Sequence, residues 1–212
     1  SVAEPSPNML LLDKFIAVAE YQNIEPVIVI TKTDIEDCSR IVSIYEKTGI
    51  SIYTIDYNSD NPAEKIRVLL KDKISAFTGN SGVGKSTLLN EVCGDFNIPT
   101  GEISKKLGRG KHTTRHAELY KLPWGGYIAD TPGFSTFETN KYNIIRKEDL
   151  ADCFREFRQY EGDCRFRDCS HTTEKGCRII EAVENGEIPQ SRHESYCSMY
   201  DEAKQIREWE LK

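Results

Sequence analysis

The 212-residue sequence predicts an α/β fold with a mostly parallel sheet in three layers, followed by a small, mainly helical domain. Three observations predict it. Short apolar runs alternate with stretches of helical periodicity, a glycine-rich loop joins one such run to the next helix, and both patterns stop near residue 140. Such alternation is typical of a parallel sheet with helices packed on its faces. We therefore expect two domains, residues 1–140 and 141–212.

The first half of the chain alternates helix and strand in a regular order. Apolar residues at helical spacing predict helices over residues 8–21, 37–47 and 62–70. The apolar run over residues 26–30 predicts a buried strand, and two further strands are predicted over residues 51–55 and 74–78. The last of these strands leads into the glycine-rich loop, and a helix is predicted directly behind that loop, over residues 86–93.

The second half of the chain is less regular. Residues 97–115 lack periodicity, so we expect a loop there. Residues 116–122 and 126–129 predict two strands of an antiparallel hairpin, joined by a Pro-Trp-Gly turn. After the domain boundary, helices are predicted over residues 148–159, 178–185 and 190–209. A compact stretch rich in cysteine separates the first of these helices from the second.

Composition excludes several classes of protein. The net charge of −6 gives no general attraction to nucleic acid or anionic membranes. No apolar run approaches the roughly 18–20 residues of a membrane span, and the polar start does not resemble a signal peptide. We expect a cytoplasmic protein without a membrane partner. The chain opens on Ser1 instead of Met, so we expect Ser1 not to be the natural start.

Residues 79–87, GNSGVGKST, match a phosphate-binding loop between a strand and a helix. The glycines allow several backbone N–H groups to surround a phosphate, and the helix adds the positive end of its dipole. Lys85 would supply a cation to the β- and γ-phosphates, and Ser86 would offer a hydroxyl to Mg²⁺. We expect nucleotide contacts from the whole loop: Gly79, Asn80, Ser81, Gly82, Val83, Gly84, Lys85, Ser86 and Thr87.

The tetrapeptide Thr31, Lys32, Thr33 and Asp34 follows the first predicted strand and matches the guanine-specificity motif [NT]-K-x-D. The Asp34 carboxylate can accept hydrogen bonds from N1–H and the 2-amino group of guanine, a pair that adenine cannot donate. Lys32 can lay its stem along the base. Thr31 stands where Asn is commoner, so we expect the loop to lack its usual amide tie, at a cost of about 1 kcal/mol.

Residues 130–133, DTPG, match the switch motif that binds Mg²⁺ and the γ-phosphate. Asp130 would hold Mg²⁺, and the Gly133 N–H would contact the γ-phosphate. Many GTPases carry a water-orienting Gln at the next position, whereas Phe134 cannot orient water by hydrogen bonding. Another group must therefore help catalysis.

Candidates for that group lie in residues 108–115, GRGKHTTR. A switch threonine must close over Mg²⁺ and the γ-phosphate, and Thr113 or Thr114 fits, with Thr114 preferred. His112 could position the attacking water. The alternative is a solvated basic loop without a catalytic role.

The order of these motifs is base motif, phosphate loop, switch I and switch II. An ordinary GTPase begins with the phosphate loop, so this order is that of a circularly permuted P-loop GTPase. The order of the four motifs excludes more classes of P-loop protein than any single motif does.

Cys164, Cys169, His171 and Cys177 supply three sulfurs and one nitrogen, a suitable tetrahedral set for structural Zn²⁺. Their spacing is not the usual C-x₂-C pair, so disulfides or free thiols remain the alternative. A reducing cytoplasm disfavours disulfides. Four protein ligands leave no open position, which indicates a structural metal.

The ordered set TKTD, GNSGVGKST, TGEIS, GRGKHTTR, DTPGFS and C-x₄-C-x-H-x₅-C resembles the circularly permuted ribosome-biogenesis GTPases of the RsgA/YjeQ type. The resemblance covers almost the whole chain. It implies GTP hydrolysis coupled to late maturation of the small (30S) ribosomal subunit, with GTP, GDP, the subunit and its rRNA as partners. It also implies one structural zinc and an N-terminal OB-fold, a module that we expect to be missing from this sequence. We expect a monomer whose turnover the subunit stimulates.

Two other functions are compatible with parts of the pattern. Another P-loop enzyme, an ATPase or a kinase, would share the phosphate loop but would not need Asp34. A nucleotide-gated RNA-binding scaffold would use the same site, with hydrolysis incidental to its role.

Overall fold

A computed structural model of the protein describes residues 1–58, 61–80, 82–94, 118–130 and 145–206. The chain divides into two compact units. The first unit consists of Ser1–Pro7, Ile30–Asp37 and Thr54–Glu138. The second unit consists of Asn8–Val29, Cys38–Tyr53 and Thr139–Lys212.

Six α-helices and five strands lie in the described parts of the chain. The helices are α1 (Met9–Tyr21), α2 (Ser39–Glu46), α3 (Pro62–Leu70), α4 (Lys85–Cys93), α5 (Arg178–Glu184) and α6 (Gln190–Lys204). The strands are β1 (Val27–Ile30), β2 (Ser51–Thr54), β3 (Ile74–Ala76), β4 (Glu118–Lys121) and β5 (Tyr127–Asp130). Within these parts, no helix combines the length and the apolar character that a membrane crossing needs. The predicted loop over residues 97–115 lies outside the described residues.

The strands form two sheets, β1 with β2 and β3–β5–β4. β3 pairs with β5 in parallel, with Ser75 opposite Ile128. β4 pairs with β5 antiparallel, which confirms the predicted hairpin. Because β3 and β5 run parallel, the phosphate loop and Asp130 follow the same edge of this sheet. The helix and strand patterns alone do not predict that the phosphate loop and Asp130 lie at the same edge. Only the two nucleotide-binding motifs predict it.

The hairpin turn depends on Gly126. Its φ of +87° lies in the left-handed region, and a Cβ at this position would lie 2.5 Å from the Lys73 carbonyl oxygen and 2.6 Å from that of Leu70. Only glycine fits so close to the chain that leads into β3. The turn thereby fixes the register between β5 and β3, the strand that leads into the phosphate loop.

The prediction of a single helix over residues 148–159 is wrong. Two short 3₁₀ helices, Ala151–Cys153 and Arg155–Tyr160, replace it. They are separated at Phe154, whose φ of −112° and ψ of 98° are extended. This break lets the fully buried Phe154 ring lie 5.2 Å from the Phe157 ring and 5.3 Å from the Tyr196 ring, between centroids. Tertiary packing overrides the helical periodicity here.

A buried charge cluster holds the second unit together. Arg192 on α6 is 1% exposed, and it donates to Asp13 on α1 at 2.5 Å and to Glu156 at 2.7 Å. Tyr45 on α2 donates to the same Asp13 oxygen at 2.7 Å. The Arg192 guanidinium carbon also lies 4.5 Å from the centre of the Phe154 ring. Burial alone would lower the pKa of Arg192, but the two carboxylates outweigh burial and raise it.

Candidate nucleotide and metal sites

The phosphate loop takes a backbone path that glycine permits. Gly79, Gly82 and Gly84 have φ angles of 138°, 83° and 94°. Gly84 caps the N-terminus of α4, so the next residue, Lys85, begins the helix. Side chains at these three positions would force strained conformations. Ser81 lies outside the described residues.

Lys85 reaches back over the loop. Its Nζ donates to the Gly79 carbonyl at 2.5 Å and to the Asn80 carbonyl at 2.7 Å. Burial lowers the pKa of this ammonium. The ammonium therefore sits where the loop carbonyls converge, and a phosphate bound in the loop would raise its pKa again. Ser86 and Thr87 follow on the first turn of α4.

Thr31 joins the base motif to the phosphate loop. It is 5% exposed, and its hydroxyl donates to the Val83 carbonyl at 2.7 Å. The usual amide is missing, as expected, and the Thr31 hydroxyl makes a bond in its place, because a hydroxyl can donate where an amide usually does. The bond spans 52 positions in sequence, and no local pattern signals it.

The rest of the base motif turns sharply after β1. Lys32 has a φ of 63°, its Nζ donates to the Glu4 carbonyl, and its own carbonyl accepts from the Ile35 N–H at 3.1 Å. The Thr33 N–H points to the Ile55 carbonyl at 3.4 Å. Asp34 is exposed, so its carboxylate is accessible to a base.

Several predicted site residues fall beyond what the structure describes. His112, Thr114 and Gly133 lie outside the described residues. Asp130 is placed by its backbone alone, as the last residue of β5 opposite Glu118. Their roles remain predictions.

The four predicted metal ligands come together in the second unit. One candidate ligand atom from each of Cys164, Cys169, His171 and Cys177 lies within 4.8 Å of the others. Cys164 Sγ lies 3.6 Å from His171 Nδ1 and 3.9 Å from Cys177 Sγ. Tetrahedral Zn–S bonds of about 2.3 Å and Zn–N bonds of about 2.0–2.1 Å would separate ligand atoms by about 3.5–3.8 Å. The cluster could thus hold a metal ion, as predicted.

Glu174, for which the sequence motifs predict no role, orders the loop that carries the ligands. Its carboxylate accepts from the backbone N–H of Ser170 at 2.9 Å, and of Thr172 and Thr173 at 3.1 Å. Burial opposes ionisation of Glu174, but the bonds from Ser170 and the neighbouring N–H groups outweigh it and lower the pKa to about 2. The run of short polar residues before Glu174 is the signal that could have identified it.

The loop over residues 164–177, which we call the metal loop, is also connected to α5 and α6. Cys177 caps the N-terminus of α5, and the Arg178 N–H points to Cys164 Sγ at 3.4 Å. From α6, His193 Nε2 lies 2.7 Å from the His171 carbonyl oxygen, and the Tyr196 hydroxyl donates to the Ser170 carbonyl at 2.9 Å. The packing of both helices therefore depends on the shape of this loop.

The basic residues near the metal loop fall into two groups. Arg155 is paired with Glu20 at 2.5 Å and with Glu25 at 2.9 Å, and Arg158 is paired with Glu20 at 2.9 Å. The other group is exposed and lies on the loop itself: Arg165, Arg167 and Lys175. Phe166, between the two arginines, is 47% exposed.

The chain matches the family model described as RsgA GTPase over residues 1–140. It is 42% identical over 212 residues to the small ribosomal subunit biogenesis GTPase RsgA of Alkaliphilus metalliredigens (strain QYMF), covering 99% of this chain and 72% of that protein. It is 44% identical over 210 residues to the protein of the same name from Shouchella clausii (strain KSM-K16), covering 95% and 70%.

Two solved structures are similar in fold. YjeQ from Thermotoga maritima has a TM-score of 0.74 and 36% identity, over 97% of this chain and 69% of that one. YloQ, a circularly permuted GTPase, has a TM-score of 0.75 and 32% identity, over 97% and 67%. The predicted fold class is confirmed.

Proposed function

The chain belongs to the RsgA GTPase family and is a circularly permuted GTPase, and on that premise we propose that it hydrolyses GTP to GDP and phosphate during maturation of the small ribosomal subunit. The bond from Thr31 to Val83 carries the proposal. It joins a base motif and a phosphate loop into one site, as a permuted GTPase requires.

The described residues would divide the nucleotide between them. Asp34 would accept from N1–H and the 2-amino group of guanine, because its carboxylate is accessible. Lys85 would move from the loop carbonyls to the β- and γ-phosphates. Ser86 and Asp130 would hold Mg²⁺, which supplies charge neutralisation at the phosphates when bound.

The remaining catalytic roles follow from the sequence motifs. The Gly133 N–H would contact the γ-phosphate, and Thr114 would close over it. His112 would position the attacking water, a role that Phe134 cannot take.

The Cys/His cluster would hold one structural Zn²⁺. Its four donors are three thiolates and one imidazole, which favour zinc over hard cations such as Mg²⁺ or Ca²⁺. With four protein ligands the shell is closed, so the metal would stabilise the loop without taking part in hydrolysis.

The exposed side of the metal loop would contact rRNA. Arg165, Arg167 and Lys175 offer positive charge to phosphates, and Phe166 offers a surface for an unstacked base. Arg155 and Arg158 are excluded from this surface because their carboxylate partners already neutralise them. The protein would act as a cytoplasmic monomer.

Guanine specificity is tested by Asp34→Asn. We expect this variant to lose about 10- to 100-fold in GDP affinity, because an NH₂ donor replaces one of the two carboxylate oxygens that pair with N1–H and the 2-amino group. Affinity for inorganic pyrophosphate should not change, since Asp34 is not on the phosphate loop. Titration calorimetry with GDP, ADP and pyrophosphate measures this. Wild-type protein that binds ADP at least as tightly as GDP, with neither affinity changed in Asp34→Asn, would favour the ATPase or kinase alternative.

The ribosomal role is tested by turnover. We expect purified small subunits to raise GTP hydrolysis at least about tenfold, because the chain lacks a water-orienting Gln and a partner can complete the site. Large subunits serve as the control. Binding to small subunits with unchanged turnover would instead favour the nucleotide-gated scaffold.

A further inference from the structure

Tyr57 places a hydroxyl between the base motif and the phosphate loop, all in the first unit. It follows β2 by three positions. A Cβ on Gly84 would lie 3.6 Å from the Tyr57 hydroxyl oxygen and 3.9 Å from Thr31 Oγ1. The Asp34 carboxylate is close enough to act electrostatically on the phenol. No motif in the sequence marks this tyrosine.

This hydroxyl is buried, and it has no hydrogen-bond partner among the residues that the structure describes. An unpaired buried hydroxyl is unfavourable, because the group gives up its bonds to water without replacing them. Such groups occur where a ligand completes the hydrogen bonding. Burial, together with Glu91 and Asp34, raises the pKa of Tyr57, so the phenol keeps its proton at neutral pH and can donate.

Guanine offers acceptors in this direction. With Asp34 on N1–H and the 2-amino group, the neighbouring edge of the base carries two acceptors, O6 and N7. In an anti nucleotide the 5′-phosphates lie on the C8 side of the base, so this acceptor edge faces the phosphate loop. The Tyr57 hydroxyl lies beside that loop.

We propose that the Tyr57 hydroxyl donates a hydrogen bond to the O6/N7 edge of bound guanine, and so acts as a second base-recognition group opposite Asp34. The inference rests on the proposed guanine site and deepens it. It assigns the acceptor edge of the base to a side chain outside the motifs.

The test compares Tyr57→Phe with Tyr127→Phe, a control on the exposed face of β5 in the same unit. Titration calorimetry gives the Kd for GDP, 6-thio-GDP and 7-deaza-GDP. For GDP, we expect Tyr57→Phe to weaken binding about 5- to 10-fold, the effect of one net hydrogen bond, and Tyr127→Phe to leave it unchanged. The penalty should disappear with 6-thio-GDP, which has a weak acceptor at position 6, or with 7-deaza-GDP, which lacks N7.

Other outcomes overturn the inference. An unchanged Kd for GDP, or an equal penalty with both analogues, would exclude a bond to this edge. A lower melting temperature of nucleotide-free Tyr57→Phe would mean that the hydroxyl has a partner within the chain. Wild-type protein that binds no GDP would instead refute the proposed function, whereas a response to Asp34→Asn alone would refute only the role of Tyr57.

Discussion

Removing the metal that we propose for the Cys/His cluster is expected to unfold the metal loop together with α5 and α6. Small peptides with structural zinc sites bind Zn²⁺ with an apparent free energy of about 10–16 kcal/mol. The free energy of unfolding of most domains is about 5–15 kcal/mol, so zinc binding is of the same size or larger. The loop caps α5 through Cys177 and holds α6 through His193 and Tyr196. Helical circular dichroism during titration with a chelator measures this loss.

Cys169→Ser should reproduce the effect of the chelator. Cys38→Ser is the matched control, because both cysteines are half-buried and Cys38 lies outside the cluster. We expect native mass spectrometry to find one zinc in wild-type protein and in Cys38→Ser, and less than one in Cys169→Ser. A metal-free protein with the same urea midpoint as the holo form would contradict a structural zinc.

Arg192→Met is expected to destabilise the second unit by about 3–5 kcal/mol, because it leaves Asp13 and Glu156 buried without a cation. Urea unfolding followed by circular dichroism measures the change. Arg178→Met is the control. Its ion pair with Glu181 is largely exposed, so we expect a change within about 0.5 kcal/mol.

Removing all three charges separates the effect of a broken cluster from the value of the intact one. The triple variant Asp13→Leu, Glu156→Leu, Arg192→Met should regain most of the stability that Arg192→Met loses, because no unpaired charge remains. Failure to regain it would mean that hydrogen bonding to Tyr45, or the shape of the cluster, contributes more than pairing of charge.

Much of the fold could be predicted because helix and strand leave local patterns. The α1 prediction differs from the structure by one residue at its start, since Asn8 is the N-cap and its side chain accepts from the Leu11 N–H. Residues 148–159 show where periodicity fails. Their apolar spacing satisfies a helix, but burial of the Phe154 ring against α6 requires an extended residue. That requirement is set by distant residues.

The candidate sites also combine features that the sequence predicts with features that only the fold creates. The sequence predicts the phosphate loop, the base motif and the cluster of four candidate metal ligands because their chemistry fixes short spacings. The tie from Thr31, the hydroxyl of Tyr57 and the clamp of Glu174 could not be predicted, since each depends on which backbone atoms the fold brings near. Arg192 gave no signal either, because a single arginine in a polar helix is usually exposed.

The contact between α1 and α6 also has a consequence for synthesis. Asp13 and Arg192 are 179 positions apart, so the ribosome makes one long before the other. At a synthesis rate of about 5–20 residues per second, Arg192 is made about 9–36 s after Asp13. During that interval α1 lacks its contact with α6, although Tyr45, which also bonds to Asp13, follows it by only 32 positions. The buried charge cluster therefore cannot be completed until α6 has been made, however early α1 forms.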